Sequence, residues 1–275
     1  VGSVCVEVAV NDDPRLLTAL ASLAAQSRRP DRVLIAAAPS TPETLLTEST
    51  RRFPTLRIDA ARYPGGVVAA RSASLAKVTE DVTAFLDTDE VAPSEWLARL
   101  LKPIEAGTAA FSGGPTRPLR PPATSIERYY VALEEAIYRD LVPSHIAYLP
   151  LQNTAWLTRE LKHLGFDRRI PFAEDHDLET RALHEGLRGE FVPEAWVYHD
   201  KTDETSFLRW ARKRYRYLTA MAMSLTKNGE LGDRLRERRT PVRHPLRYVE
   251  AALKPIALID ARLRWRRLAR VRVPA

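Results

Sequence analysis

Residues 81–90 read "DVTAFLDTDE", a short apolar run closing on an acidic tail. Val82 to Leu86 has the composition of a buried strand, and Asp87 and Asp89 stand one residue apart behind it. Neighbouring carboxylates repel, so the arrangement calls for compensation. A hard divalent cation such as Mg²⁺ or Mn²⁺ would supply it. A polar, solvated turn capping the helix that opens at Pro93 is the plainer alternative.

The same strand-then-polar-loop pattern recurs on both sides. Residues 4–10, "VCVEVAV", form a strand ending at "NDDP", where Asp13 and Pro14 suit an N-cap and first-turn proline for the helix through "RLLTALASLAAQ". "DRVLIAAA" and "TLRIDAARY" read as the second and third strands, with a helix in "PSTPETLLTESTRRF" between them. The Pro64-Gly65-Gly66 turn then leads into a helix from about Val67 to Val78, and "PSEWLARLLKPIEAG" is the helix after the acidic loop. Strand and helix alternate throughout, which predicts an α/β fold with a Rossmann-like, mainly parallel, doubly wound sheet. Ligands of such sheets bind at the carboxyl ends of the strands, where "NDDP" and "DTDE" both fall.

Beyond Pro115 the texture changes. Prolines crowd "RPLRPPATS", and residues 115–150 are expected to be an insertion over the sheet that meets the acceptor. "QNTAWLTRELKHLG" then reads as strand and helix, "FDRRIPFAEDHDLETRALHEG" as loop and helix, and "RGEFVPEAWVYHD" as the last strand. Residues 1–204 are thus expected to form one α/β domain, with 205–275 a basic helical extension.

Composition is ordinary for a soluble globular protein: 45% hydrophobic and 28% charged residues in a chain of 275. The one cysteine, Cys5, cannot form an internal disulfide. No secretory h-region and no apolar run long enough for a bilayer are visible, so the expectation is a cytoplasmic protein. Charge is uneven: residues 1–204 carry 23 basic and 30 acidic side chains, residues 205–275 carry 19 and 5. A basic tail suits phosphates, an anionic membrane surface or nucleic acid, although 35 arginines among 42 basic residues also suit compositional bias.

Two further clusters carry chemistry. "AEDHDLETR" places Glu174, Asp175 and Asp177 at a helix start, more acids than capping needs, and one of them is suited to act as a general base. His199, in "VYHD", ends the last strand as a potential imidazole ligand, although a lone histidine is more often structural.

In this order, "NDDP…LLTALASLAAQ", "GGVVAARSASLAKVTEDVTAFLDTDE", "AWLTRELKHLGFDRRIPFAEDHDLETRALHEG" and "VPEAWVYHD" resemble the GT-A-fold glycosyltransferases of family 2 over about residues 3–200. The resemblance implies a nucleotide-sugar donor, with Asp87 and Asp89 holding Mn²⁺ or Mg²⁺ against its diphosphate and His199 completing the metal shell. It further implies that Asp175 deprotonates the acceptor hydroxyl, with inversion at the anomeric carbon. Asn11, Asp12 and Arg71 are the expected nucleotide contacts, with Gly113 and Gly114 admitting the donor sugar and Arg212 and Arg214 reaching its phosphates. Trp156, Glu174 and Tyr130 are expected to face a saccharide or lipid-linked acceptor.

Departures cluster at the nucleotide pocket: Ala37 and Ala38 replace the usual strand-end acid, Tyr63-Pro64 the asparagine-glycine pair, and Ser72 an asparagine. "SFLRW" at 206–210 has Ser206 where processive synthases carry glutamine, which argues against a processive enzyme.

In the tail, Leu246, Val249, Leu253, Ile256, Ile259 and Leu263 recur at helical spacing, one stripe interrupted at Pro255. It is expected to pack on the catalytic domain or a partner subunit, or else to lie on an anionic membrane at its inner face. Two rival functions remain: a GT-A-like scaffold that has lost activity, and a protein that binds nucleic acid or an anionic surface through its tail, nucleic acid being the less favoured. An oligomer is compatible with all of these.

Overall fold

A computed structural model describes residues 2–140, 149–202, 206–230 and 242–270. The expected boundary at 204/205 and residues 141–148 of the expected insertion lie outside them.

The first half of the chain alternates as anticipated: β1 (Val4–Val10), α1 (Leu16–Ala24), β2 (Arg32–Ala37), α2 (Glu43–Arg52), β3 (Ile58–Arg62), α3 (Val67–Leu75) and β4 (Val82–Phe85). There follow β5 (Glu90–Val91), α4 (Trp96–Glu105), β6 (Phe111–Gly113), β7 (Thr116–Pro118) and α5 (Ser125–Asp140). β8 (Thr154–Leu157), α6 (Thr158–Leu164), α7 (Glu174–His184), β9 (Gly189–Phe191) and β10 (Val197–His199) complete the α/β body. Two long helices, α8 (Phe207–Lys227) and α9 (Leu246–Arg270), end the described chain.

Seven strands form the main sheet in the order β3-β2-β1-β4-β8-β6-β9. Its pairs are parallel except where β8 runs antiparallel to β4 and β6. "RGEFVPEAWVYHD" is two strands rather than one: β9 closes the main sheet, whereas β10 joins β5 and β7 in a second, three-stranded sheet. Pro193 lies between them, and a proline cannot donate to a ladder, so the run breaks there. β7 and α5 account for the described part of the expected insertion.

Side chains alternate across β1. Val4, Val6, Val8 and Val10 enter the core shared with α1 and α4, and each fully buried valine contributes about 1.5–3 kcal/mol. Cys5 faces the other way, packed with Leu34 and Val78, where burial pushes its thiol up to about 12. Glu7 shares that second face and is carried toward α3.

α8 and α9 run side by side in the same direction: Trp210 packs with Leu246 and Val249, and Met223 with Ala261. The stripe anticipated in the tail therefore divides. Leu246 and Val249 turn inward, whereas Ile256, Ile259 and Leu263 remain exposed. Among the described residues no helix is long and apolar enough to cross a membrane.

Candidate functional site

The site forms where β1, β4 and β10 end. After Phe85 the chain turns through Leu86-Asp87-Thr88-Asp89 into β5, and the turn closes on itself. The Asp87 amide donates to Glu90 Oε2 (3.1 Å), and the Glu90 amide donates to the Asp87 carbonyl (3.2 Å). β10 then fixes the loop from outside, with His199 opposite Glu90 in the ladder and the Asp200 amide donating to the Asp89 carbonyl (2.8 Å). On the β1 side Thr88 Oγ1 donates to Asp13 Oδ2 (3.3 Å). Arg15, held on Asp13, also donates to the Asp200 carbonyl (3.0 Å).

Arg71, buried on α3, links this loop to α7. Its Nη2 donates to Asp87 Oδ1 (2.9 Å) and its Nη1 to Glu174 Oε1 (2.6 Å), while its Nε lies 3.8 Å from Glu7 Oε1. Burial alone would loosen the guanidinium proton, but the charges of Asp87, Glu174 and Glu7 outweigh it and hold that proton more tightly. Glu7 is itself fully buried, and desolvation raises its carboxyl to about 7 although Arg71 and the Ser74 hydroxyl both favour the ionised form.

The acids of the loop titrate apart. Burial first, and then the charge of Asp89, raises Asp87 despite Arg71. Burial and the charges of Asp87 and Asp89 raise Glu90 well above the usual carboxylate range. Asp89 goes the other way: burial opposes ionisation, but the hydrogen bond from His199 holds it at about 2.

His199 Nε2 lies 3.2 Å from Asp89 Oδ2, and its Nδ1 lies 3.2 Å from Lys201 Nζ. An ammonium only donates, so Nδ1 accepts and the Nε2 proton points at Asp89. Lys201 is anchored in turn by Glu134 of α5.

These residues fit a divalent cation. Two carboxylates and an imidazole are a donor set for Mn²⁺ or Mg²⁺. Crowded acids that raise one another's pKa gain from a positive charge among them. Among the described residues no three His, Cys, Asp or Glu side chains already stand close enough to enclose a cation, because Asp87 is engaged by Arg71 and Asp89 by His199.

At the start of α7 the acids separate by role. Asp177 is buried among Arg181, Lys227 and Asn228, and His176 Nδ1 meets Ser224 Oγ (3.0 Å), so both fasten α7 to α8. Glu174 turns to Arg71. Asp175, half-buried, accepts its own helix's first-turn amide from His176 (2.8 Å). Two residues ahead of Glu174, Phe172 takes a left-handed backbone (φ 70°) and is 40% exposed, with Arg216 4.1 Å above its ring. That conformation is costly for a bulky residue and points to a functional constraint.

Several sequence-based assignments need correction. Trp156 is fully buried in β8, stacked on Phe111 at 4.1 Å, and offers no surface to an acceptor. Gly113 and Gly114 are required by the packing of the fold itself. A Cβ at 114 would stand 1.9 Å from the Ala195 carbonyl oxygen, and one at 113 would stand 2.8 Å from Leu149. Arg214 is buried against Glu250 of α9 (2.7 Å), which the Tyr129 hydroxyl also contacts, so it joins α8 to α9 and not to phosphates.

Other residues are placed differently from one another. Arg212 is exposed on α8. Tyr130 lies under the ammonium groups of Lys201 (5.5 Å) and Lys213 (5.7 Å). Asn11 and Asp12 stand at the exposed end of β1, where Asn11 Oδ1 accepts from Ser40 (2.7 Å) and Asp12 borders a depression with Pro14, Leu17 and Pro42. Glu7, Asp13, Arg15, Lys201 and Phe172 were missed. Glu7 had left a signal as a lone acid within an apolar strand, and Asp13 had been read only as a helix cap in "NDDP".

A family model described as "Glycosyl transferase family 2" matches residues 3–139. The pre-mycofactocin glycosyltransferase of Mycobacterium tuberculosis (strain H37Rv) is 30% identical over 162 residues, which cover 54% of this chain and 33% of that protein. The chain thus aligns with about a third of that relative's length. The succinoglycan biosynthesis protein ExoM of Rhizobium meliloti is 29% identical over 216 residues, covering 73% of this chain and 68% of that one. Among solved structures, the mannosyltransferase PcManGT of Pyrobaculum calidifontis, in complex with GDP-Man and Mn²⁺, aligns with a TM-score of 0.66 at 18% identity over 98% of this chain and 76% of that one. S. aureus TarS 1–349 with UDP-GlcNAc aligns at 0.59 and 18% identity, over 85% and 71% of the two chains. These alignments match the architecture of the GT-A fold.

Proposed function

Because the chain belongs to glycosyltransferase family 2, we propose that it moves a sugar from a nucleoside-diphosphate sugar to an acceptor hydroxyl, inverting the anomeric centre. The observation that carries this reading is Arg71, whose two amino groups bring Asp87 of the strand-end loop and Glu174, the neighbour of Asp175, to one place.

Asp87 and Asp89 would hold Mn²⁺ or Mg²⁺, with His199 as third ligand through Nε2 in its other neutral tautomer, whose Nδ1 proton would turn to Glu134, 3.8 Å away, in place of the Lys201 contact. When bound, the cation neutralises charge developing on the departing nucleoside diphosphate. The solved relative bound to GDP-Man and Mn²⁺ supports a donor of this class. Asp175 takes the acceptor's proton as the hydroxyl attacks the face opposite the leaving group. Arg71 holds the donor-side and acceptor-side acids at fixed separation, which is the geometric requirement of a single displacement. Phe172, rather than Trp156, offers the acceptor an aromatic face. The acceptor is a saccharide or a lipid-linked saccharide, and the enzyme works at the inner face of a membrane.

A panel of nucleotide sugars tested with and without Mn²⁺, read by thermal shift and donor hydrolysis, tests the reading. A Mn²⁺-dependent shift with one donor class, lost in Asp87→Asn, is expected. No stabilisation by any donor would leave a scaffold, and salt-sensitive binding of generic DNA that survives Asp87→Ala would favour the nucleic-acid alternative.

A further inference from the structure

α9 presents apolar residues on two faces. Ala261 and Trp265 pack inward against α8 and the loop before α7, and Ala257 is buried. Tyr248, Ile256, Ile259 and Leu263 point outward, with exposures of 77%, 57%, 61% and 50%. At helical geometry these four fall within an arc of roughly 80° and form a stripe about 22 Å long. Arg262, Arg266 and Arg267 are exposed beside its C-terminal half.

Charge selects what covers this stripe. α9 carries seven basic residues and two acids, Glu250 and Asp260. Both acids are used within the fold: Glu250 accepts from Arg214 and Tyr129, and Asp260 from Tyr215 and Arg264. Among the described residues the outward arginines thus meet one acid, Asp260, which reaches Arg267 electrostatically but is already engaged by Tyr215 and Arg264, so positive charge remains in excess. Two copies of the outward face would set arginine against arginine. A surface rich in phosphate satisfies the arginines and accepts the apolar side chains together.

We propose that the outward face of α9 docks on a bilayer containing anionic phospholipid, with Tyr248, Ile256, Ile259 and Leu263 entering the interface and Arg262, Arg266 and Arg267 meeting phosphates. The position of α9 gives this docking a purpose. Trp265 shares a cluster with Ile170 and Ala173, and Arg169 lies 5.0 Å over its ring. Those residues belong to the loop that delivers Glu174 and Asp175. On the glycosyltransferase reading, a docked α9 holds the acceptor side close to lipid, which favours an acceptor hydroxyl carried on a lipid anchor.

Flotation of the full chain with vesicles of phosphatidylcholine, and of phosphatidylcholine with phosphatidylglycerol, tests the proposal. Binding is expected only with phosphatidylglycerol and is stripped by salt. Ile259→Glu with Leu263→Glu, and Arg266→Glu with Arg267→Glu, should each lower partition by about tenfold or more. The thermal midpoint and donor hydrolysis in solution should stay unchanged, since these side chains are exposed on the outward face of α9. Equal partition of variants and wild type, or equal binding to both vesicle types, overturns the docking. So does a concentration-dependent dimer that Ile259→Glu dissolves, which would assign the face to a second copy. Donor hydrolysis that persists while flotation fails places the error in the docking; flotation without turnover of any donor places it in the catalytic reading.

Discussion

Asp87 accepts a hydrogen bond from Arg71 at 2.9 Å, so the acid offered to a cation is also the acid that the fold's own arginine holds. Asp87→Asn should abolish the Mn²⁺-dependent part of donor binding. Arg71→Met should weaken donor binding and turnover together, because it also leaves Glu7 and Glu174 buried without their counter-charge, a loss of about 3–5 kcal/mol in stability. Titration calorimetry with donor and Mn²⁺, beside chemical denaturation, separates the two. An Arg71→Met protein of wild-type stability would contradict the pairing.

Asp175→Asn keeps the shape of the α7 start and removes the carboxylate proposed as the base. Turnover should fall about 10²–10⁴-fold with donor affinity intact. Retained turnover would move the base elsewhere, Glu174 being the neighbour to test next.

Phe172 holds a backbone conformation that glycine adopts freely. Phe172→Gly should therefore keep or raise thermal stability, by about 1 kcal/mol, while the acceptor KM rises and the donor KM does not. A stability loss with unchanged acceptor kinetics would make the ring a packing element.

Glu7 gives the fold a pH slope. Its carboxyl is raised from the ordinary 4.5 to about 7, so the native state holds this proton more tightly than the unfolded chain does. Its stabilising share is whole below 4.5 and is lost as pH climbs through about 7. Melting temperatures of Glu7→Gln should fall less steeply over that window than those of wild type. Asp87 and Glu90 are raised in the same sense and remain in both proteins, so the difference isolates Glu7. Identical slopes would refute the assignment.

Gly114→Ala should destabilise the fold by about 3 kcal/mol, since the added methyl meets a strand carbonyl and not a flexible side chain. Denaturant midpoints measure it. If stability holds and only donor binding suffers, the glycine serves the donor after all.

The alternation of strands and helices was legible because each strand is a continuous apolar run and each helix begins after a turn signal, as in "VCVEVAVNDDP". The placement of "DTDE" at a strand end followed from the same pattern. What stayed hidden depends on contacts between distant segments. Nothing local to "VYHD" says that its strand leaves the main sheet to pair with Glu90-Val91. Asp177 and Asp175 are two residues apart and chemically alike, yet one side chain falls on α8 and the other stays half-buried at the helix start. Trp156 and Arg214 have residue types common at ligand sites, and burial alone removed them. Glu7 was visible as an anomaly, but its meaning required Arg71, 64 positions away.

Cys5, the chain's lone thiol, sits inside β1, an interior strand of the main sheet, with its proton held up to about 12. A thiolate is the species that alkylating reagents attack, so the folded protein should be almost silent toward them. Every labelling event then records a moment when β1 has come away from its neighbours. The rate of that one reaction is a clock for opening of the strand that carries Glu7 and ends at Asn11 and Asp12, and it runs in unmodified protein without any probe being introduced.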